Sequence, residues 1–204
     1  MVYGQALFNN QLRSLASALA VVAHEMFHGV TDNTAKLQYL GESGAMNESY
    51  SDIFGVIVAN FTEPDISKWD WLIGDGISSG LTALRDFQDP TRFQQPKMMA
   101  DYVNMPLDAF SDYGGVHTNS GIHNKAAFNV LTAVKNGALV FTPAEVAAFF
   151  YLALTQRLSR TSQFADSRTA VLDSARTLFR NLTPAALAEK IAAIEAGFDA
   201  VGIT

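Results

Sequence analysis

Two histidines four positions apart, with a glutamate directly after the first, form the run His24-Glu25-Met26-Phe27-His28. On an α-helix, residues four apart lie on the same face about one turn from each other, so both imidazoles can bind one metal ion. Glu25 would then stand beside the first ligand, where a carboxylate can hold and deprotonate a metal-bound water. The same pattern also arises by chance in a helix with two ordinary histidines, and the motif alone leaves both interpretations open.

Two carboxylates supply the rest of a candidate metal site. Glu48 stands twenty residues after His28, and Asp52 lies one helical turn beyond Glu48. Catalytic zinc needs three protein ligands and one open position, so Glu48 can complete the ligand set. Asp52 can accept a hydrogen bond from the non-ligating nitrogen of a zinc histidine. The alternative, a solvated acidic face, is disfavoured because the apolar run 53–58 directly follows.

These side chains need two helices that face each other. Apolar residues recur at three- and four-residue steps over 11–30, which predicts a first helix that carries both histidines. Turn-forming residues at 41–44 predict a loop or hairpin. A second helix over 46–60 then carries both carboxylates. The histidines and the carboxylates can meet if the two helices pack through these faces.

The remainder of the chain is predicted to be irregular first and helical afterwards. Prolines, tryptophans and Asp/Gly turns over 63–117 predict a long irregular segment, and loops of this length in a compact domain are usually functional. We predict a mainly α fold of one domain, 1–204, divided into zinc-site helices (1–62), an irregular substrate-side segment (63–117) and C-terminal helices (118–204). The C-terminal helices are predicted over 120–137, 143–160, 166–180 and 184–198.

Bulk properties exclude several classes of function. The chain has 204 residues, a formal charge of −6 and no cysteine. The acidic balance argues against nucleic acid or anionic lipid as the main partner. The lack of cysteine leaves only histidines and carboxylates as metal ligands. No segment reaches the roughly 18–20 apolar residues that span a bilayer, so we expect no membrane partner.

The sequence resembles the thermolysin family of neutral zinc metallopeptidases, which are gluzincins. Three ordered blocks carry the resemblance: HEMFHGVTD (24–32), ESGAMNE with SDIFG (42–48 and 51–55), and GGVHTNSGIHNKAA (114–127). Leu84-Arg85 and Asp89-Pro90 also fit. The resemblance spans the whole chain and implies the α-helical C-terminal domain of such an enzyme, with a long irregular segment between the second zinc-ligand helix and the C-terminal helices.

The resemblance implies a role for each matching residue. It implies that His24, His28 and Glu48 bind one zinc ion and that Glu25 is the general base in the attack of zinc-bound water on a peptide bond. It further implies that His117 and Tyr39 stabilise the oxyanion, with Asp112 orienting His117. By the same resemblance, Arg85 binds the substrate carbonyl on the leaving side, and an apolar residue after the cut bond occupies a pocket that includes Val21, Ile73 and Leu84.

The sequence departs from the family at the positions that often bind calcium. Ala20, Ala59 and Leu72 occupy matching positions and cannot bind calcium through their side chains. Asp70 and Asp75 remain, and two carboxylates make a poor site for an ion that takes six to eight oxygens. The loop over 76–84 also looks shorter than in the family's calcium-rich members. We therefore expect no tight calcium at this site. For His123, the remaining histidine, we expect a structural role.

The start of the chain is a further departure. Residues 1–4 resemble a strand just past the substrate-binding edge strand of the family's β-rich N-terminal lobe, so we expect that lobe to be absent. The resemblance implies secretion, although the first residues carry no signal peptide. A peptide or protein substrate and the missing lobe are the expected partners, and exposed apolar surface favours self-association.

Three functions remain to be compared. The first is a zinc endopeptidase that cuts on the N-terminal side of bulky apolar residues. The second is a zinc-binding domain with little or no turnover, because the N-terminal lobe is missing. The third, a structural zinc domain, is disfavoured, since three good ligands and a base belong to an open catalytic site.

Overall fold

The computed structural model describes residues 5–8, 11–75 and 83–204. Six helices dominate it, and the prediction of a mainly α fold is confirmed. The few strands form three separate antiparallel pairs. The helices are α1 (Leu19–Asn33), α2 (Gly41–Ala59), α3 (Asp112–Leu131), α4 (Pro143–Gln156), α5 (Phe164–Leu178) and α6 (Pro184–Asp199), and the strands are β1 (Gln5–Phe8), β2 (Gln11–Ser14), β3 (Leu72–Ile73), β4 (Arg85–Asp86), β5 (Val134–Lys135) and β6 (Ala138–Leu139).

Helix α2 is the centre of the fold. It is buried on all sides from Ser43 to Ile57 and packs between α1 and α3. Close approach to α1 requires a glycine, because a Cβ at Gly55 would lie 2.7 Å from the carbonyl oxygen of Ala20. The predicted turn at 41–44 was wrong, since α2 begins at Gly41. A Cβ at Gly44 would lie 2.4 Å from Val116, so this glycine permits close contact between α2 and α3 and does not mark a turn.

The first predicted helix was also wrong at its start. Residues 11–14 form β2, and a single 3₁₀ turn, 15–17, separates this strand from α1. The side chain of Ser14 accepts a hydrogen bond from the backbone NH of Ala16 and caps that turn. Helix α1 therefore starts at Leu19 and still carries the whole His-Glu-x-x-His motif. The strand predicted at 1–4 lies outside the described residues.

The segment between α2 and α3 is irregular, as predicted. Its described part holds the short β3–β4 pair and four 3₁₀ turns, and its hydrogen bonds are mostly local. Side chains tie it to the helices: Gln95 donates to the carbonyl of His117, and Asn119 exchanges two hydrogen bonds with the backbone of Val103. Most of the loop at 76–84 lies outside the described residues.

The C-terminal helices cover α2 and α3 from one side. Aromatic side chains fill this part of the core, among them Phe149, Phe150, Phe164 and Phe198, all fully buried. The helix predicted over 120–137 was wrong at its end. Helix α3 stops at Leu131, and residues 134–139 form a hairpin whose turn, Asn136-Gly137, has positive φ at both positions, the geometry that favours these two residues.

Candidate metal centre

Helices α1 and α2 bring the three predicted ligands to one point. The Nε2 atoms of His24 and His28 lie 3.0 Å apart. The carboxylate oxygens of Glu48 lie 3.5 Å from Nε2 of His24 and 3.3 Å from Nε2 of His28. Two ligand atoms of a tetrahedral zinc ion, each about 2.0–2.1 Å from the metal, are roughly 3.3 Å apart. The spacing of the three side chains therefore fits one zinc ion.

The other ring nitrogens fix the tautomers that a metal requires. Nδ1 of His24 lies 2.7 Å from a carboxylate oxygen of Asp52. Nδ1 of His28 lies 2.9 Å from the side-chain oxygen of Asn47. Both acceptors need an N–H donor, so each Nδ1 carries a proton, and in the neutral rings each Nε2 presents a lone pair. Asn47 was not predicted to take part.

Charge around the ligands also indicates a cation site. Glu48 is almost fully buried, and among the described residues its Oε2 has no hydrogen-bond partner. Burial disfavours the charged carboxylate, yet a hydrogen bond to His28 and the charge of Arg85 lower the pKa of Glu48. Burial likewise opposes charge on His28, but Glu48 raises the pKa of His28 to about 8. The site thus favours a positive charge between the imidazoles and the carboxylate, which a metal ion supplies.

Arg85 and Asp52 form a buried ion pair that contacts two of the predicted ligands. Arg85, on β4, donates from Nη2 to Asp52 at 2.7 Å, and its Nε lies 2.7 Å from the second carboxylate oxygen. The guanidinium also lies 3.9 Å from Glu48. Burial would raise the pKa of Asp52, but the charge of Arg85 and the hydrogen bond from His24 lower it. Asp52 therefore stays ionised and can hold the His24 ring.

Tyr39 and His117 approach the same carboxylate from the solvent side. The hydroxyl of Tyr39 donates to Glu48 at 2.5 Å and lies 3.2 Å from Nε2 of His117. That Nε2 lies 3.4 Å from Glu48, and Nδ1 of the same ring lies 2.6 Å from Asp112. Burial and the charge of Glu48 raise the pKa of Tyr39, so its hydroxyl stays protonated.

An unusual backbone turn places His117. Asp112, Tyr113, Gly114 and Gly115 all have φ between 51° and 94°, which makes one left-handed turn before the right-handed part of α3 begins. Two of these positions are glycines, which adopt this conformation at little cost. A Cβ at Gly114 would lie 3.0 Å from Gly41, so the turn also packs against the start of α2. Asp112 completes it by accepting from the backbone NH of His117 at 2.8 Å.

The candidate centre opens into a cavity of about 440 Å³. Glu25, half-buried on α1, lines this cavity beside the three ligands. His117 is half exposed at its edge. The residues that line the cavity are His24, Glu25, His28, Asp32, Leu37, Tyr39, Asn47, Glu48 and His117.

The residues predicted for the substrate pocket are not among those that line this cavity. Val21 and Ile73 are buried in the hydrophobic core. Leu84 is 42% exposed, and its backbone NH donates to the carbonyl of Ile73. Arg85 pairs with Ile73 across the β3–β4 ladder. Ile73, Leu84 and Arg85 are thus neighbours, and the role of all four residues in binding substrate stays a prediction.

The remaining predicted positions are distributed as follows. Ala20 lies on α1, Ala59 ends α2 and Leu72 starts β3. Burial and the charges of Asp75 and Asp86 raise the pKa of Asp70. The expected lack of tight calcium stays a prediction.

His123 is fully buried, and its ring stacks on Phe164 at 5.4 Å. Both ring nitrogens contact serine hydroxyls, at 2.7 and 2.8 Å. A structural role fits this environment.

A family model described as the thermolysin metallopeptidase α-helical domain matches residues 35–203. The chain belongs to the thermolysin metallopeptidase family. Neutral protease NprE from Bacillus pumilus is 41% identical over 203 residues, which cover 100% of this chain and 60% of that protein. The extracellular elastase of Staphylococcus epidermidis is 38% identical over 88% of this chain and 32% of its own length.

A solved structure shares the fold. The precursor of protealysin, a metalloproteinase from Serratia proteamaculans, superimposes with a TM-score of 0.77 and 30% identity over 94% of this chain and 59% of that chain. This chain thus spans about a third to three fifths of the proteins it matches. Membership of the family confirms the predicted zinc cofactor, and His24, His28 and Glu48 form a group that could hold one metal ion. No described helix is long and apolar enough to cross a membrane.

Proposed function

We propose that this chain carries the catalytic centre of a zinc metalloendopeptidase. The observation that carries the proposal is the convergence of two imidazole Nε2 atoms and one buried carboxylate at 3.0–3.5 Å, with both Nδ1 atoms already bound to acceptors. When bound by His24, His28 and Glu48, zinc polarises the peptide carbonyl and lowers the pKa of water toward ~7. Three ligands leave a fourth position for chemistry.

Glu25 is the proposed general base. It follows the first ligand on α1 and lines the cavity into which the ligands open. A carboxylate there can take a proton from water as it attacks and deliver that proton to the leaving amine. Its removal should leave the three ligand side chains and their hydrogen bonds in place.

His117 and Tyr39 are the proposed stabilisers of the oxyanion. Asp112 holds Nδ1 of His117, so Nε2 faces the centre, where Nε2, when it carries a proton, and the Tyr39 hydroxyl can both donate. Donors fixed before the reaction act on charge that develops only in the transition state, which is where binding accelerates the step. The hydrogen bond from Tyr39 to Glu48 keeps this hydroxyl within reach of the centre.

The substrate is proposed to be a peptide or protein cut on the N-terminal side of a bulky apolar residue. Ile73 and Leu84 are adjacent to Arg85, which could bind the substrate carbonyl on the leaving side, and Val21 is the third apolar residue proposed for the pocket. Secretion is proposed because a family relative is named an extracellular elastase. The proposed organisation remains one domain with parts 1–62, 63–117 and 118–204.

A second candidate is a zinc-binding domain with little turnover by itself. Two observations favour it: the matched relatives are longer than this chain, and His117 is half exposed at an open cavity. Residues from the remaining length of such proteins could complete the cleft. In that case this chain would bind zinc and bind peptide weakly.

Cleavage of a quenched peptide with an apolar residue after the cut bond separates the candidates. We compare the zinc-loaded chain, the same chain with chelator, and Glu25→Gln. Chelator-sensitive cleavage that falls at least ~100-fold in Glu25→Gln, within the usual contribution of a general base, supports the peptidase. Zinc binding without cleavage supports the second candidate. Cleavage by Glu25→Gln at the wild-type rate overturns the assigned base.

A further inference from the structure

Asn124, on α3, joins the metal centre to the interior of the domain. Its side-chain NH₂ donates to Oδ2 of Asp52 at 2.9 Å, and its side-chain oxygen accepts from the hydroxyl of Ser49 at 2.6 Å. Both partners are on α2, and all three residues are buried. Asp52 is the carboxylate that holds Nδ1 of His24. Asn124 is thus two hydrogen bonds away from a zinc-ligand ring.

The hydrogen-bonded chain continues beyond Ser49. The hydroxyl of Ser49 lies 2.7 Å from Nδ1 of His123, and Nε2 of His123 lies 2.8 Å from the hydroxyl of Ser167 on α5. Ser167 in turn lies 2.9 Å from the hydroxyl of Tyr50. Ser49, Tyr50, His123 and Ser167 are all fully buried, so the chain crosses the core between α2, α3 and α5 without reaching solvent.

With the Asn124 side-chain oxygen facing Ser49, counting the available protons fixes which group donates in each bond of the hydrogen-bonded chain. The single proton of Ser49 is used on Asn124, so Nδ1 of His123 must donate to Ser49. Burial lowers the pKa of His123 to about 3, which keeps the ring neutral with one N–H. Nε2 therefore accepts from Ser167, and Ser167 can only accept from Tyr50. Each donor in the series Tyr50, Ser167, His123, Ser49, Asn124 thus points toward the Asp52 carboxylate.

We propose that Asn124 is a positioning residue of the zinc centre: the Asp52 carboxylate selects its amide orientation, and the buried hydrogen-bonded chain from Ser49 to Tyr50 is compatible with that orientation. The opposite orientation would set the amide oxygen against the Asp52 carboxylate and the NH₂ group against the Ser49 hydroxyl. The NH₂ donor fixes Oδ2 of Asp52, while Oδ1 receives His24. Asn124 therefore acts on the metal through the direction and basicity of the His24 ring.

The inference rests on the proposed zinc site, so zinc binding by the wild-type chain is measured first. The dissociation constant is obtained by competition with a chromogenic chelator. Asn124→Leu has nearly the same shape and cannot donate to Asp52. We expect zinc binding several-fold to about 10-fold weaker, at or below the lower end of the ~10–100-fold effect of losing a group that itself contacts a metal ligand, because Asn124 acts through Asp52. Asn129→Leu is the matched control, because that amide, on the same helix, binds only the carbonyl of Gly197 among the described residues.

A second control separates positioning from folding. Val130→Ala removes a buried side chain from α3 with no link to the hydrogen-bonded chain, and it should lower the free energy of unfolding while zinc affinity stays within about twofold of wild type. Ser49→Ala should weaken zinc binding less than Asn124→Leu, since Asn124 keeps its donor. Asn124→Ala replaces Asn124→Leu if the leucine variant fails to fold.

A double-mutant cycle supplies the decisive comparison. If Asn124 acts through Asp52, Asn124→Leu in an Asp52→Asn background should change zinc affinity much less than in the wild-type background. Equal effects in both backgrounds, or a wild-type zinc affinity in Asn124→Leu, would overturn the positioning role. A wild-type chain that binds no zinc would instead refute the site itself.

Discussion

Loss of the buried carboxylate of Asp52 should strongly destabilise the fold. Its Oδ1 faces Nδ1 of His24 and Nη2 of Arg85, and its Oδ2 faces Nε of Arg85 and the NH₂ of Asn124. Asp52→Asn preserves the shape but removes the charge and replaces one acceptor with a donor. In either amide orientation the new NH₂ faces two existing donors, and the buried Arg85 loses its main counter-charge.

Breaking one partner of a buried ion pair typically costs about 3–5 kcal/mol, because a desolvated charge remains uncompensated. We therefore expect Asp52→Asn to lower the free energy of unfolding by about 3–5 kcal/mol in the metal-free chain. For a chain of this length, that change corresponds to a melting temperature lower by roughly 6–20 °C. The measurement is made with chelator present, because bound zinc would itself stabilise the folded state.

Urea unfolding followed by circular dichroism measures this difference. Asp173→Asn is the control, since Asp173 forms an exposed pair with Arg176 at 3.0 Å, and such pairs contribute only about 0–1 kcal/mol. The pKa of Asp52 is below its ordinary value of ~3.9, so its contribution is complete above that pH and is lost as pH falls through the folded-state pKa. A free energy of unfolding for Asp52→Asn within about 1 kcal/mol of wild type, on the order of the control, would refute this reasoning.

Two further predictions concern packing and pH. Gly55→Ala should lower the free energy of unfolding by about 1–3 kcal/mol, because its Cβ would lie 2.7 Å from the carbonyl oxygen of Ala20. Gly29→Ala is the control: with nothing within 4 Å of its Cβ, it should be neutral or stabilise by about 0.5–1 kcal/mol. Equal unfolding midpoints for the two variants would contradict the α1–α2 contact. Burial lowers the pKa of His123 to about 3, so the unfolded chain binds one more proton below its ordinary pKa of ~6.5, and stability should fall with decreasing pH by up to about 1.4 kcal/mol per unit. His123→Gln should flatten this acid dependence of the unfolding free energy, and parallel curves for the two proteins would count against it.

Local sequence patterns predicted the two helices that carry the candidate ligands, because the metal-binding residue types recur at helical spacing. His24 and His28 had to share a face, and Glu48 and Asp52 had to share another. The ends of the helices were less predictable. Apolar residues at helical steps extended the first prediction back through 11–14, where β2 pairs with β1. Strand pairing depends on the partner strand, so the periodicity of one segment cannot reveal it.

Glycines were the main source of the other errors. Gly41 and Gly44 were interpreted as turn residues, yet both lie in α2, and Gly44 permits contact with Val116. Conversely, Asn136-Gly137 is a strong hairpin signal, and the predicted third helix ran through it. A glycine that ends a helix and one that permits close packing look alike in a single sequence.

The buried hydrogen bonds around the centre could not be predicted from spacing. Asn47 could have been suspected because it precedes Glu48, but its contact with His28 depends on how α1 crosses α2. Asn124 and Ser49 are more than seventy positions apart, and Ser167 reaches His123 from α5. Only the packed helices bring these polar side chains together.

Zinc stoichiometry tests the central claim most directly. The wild-type chain, Glu25→Gln and Glu48→Gln are loaded with zinc, dialysed and measured by elemental analysis. The proposed site predicts one zinc per chain in the wild type and in Glu25→Gln, because Glu25 is a base and not a ligand, and little zinc in Glu48→Gln. No zinc in the wild-type chain after loading, or full zinc in Glu48→Gln, would contradict the assignment of His24, His28 and Glu48 as the metal ligands.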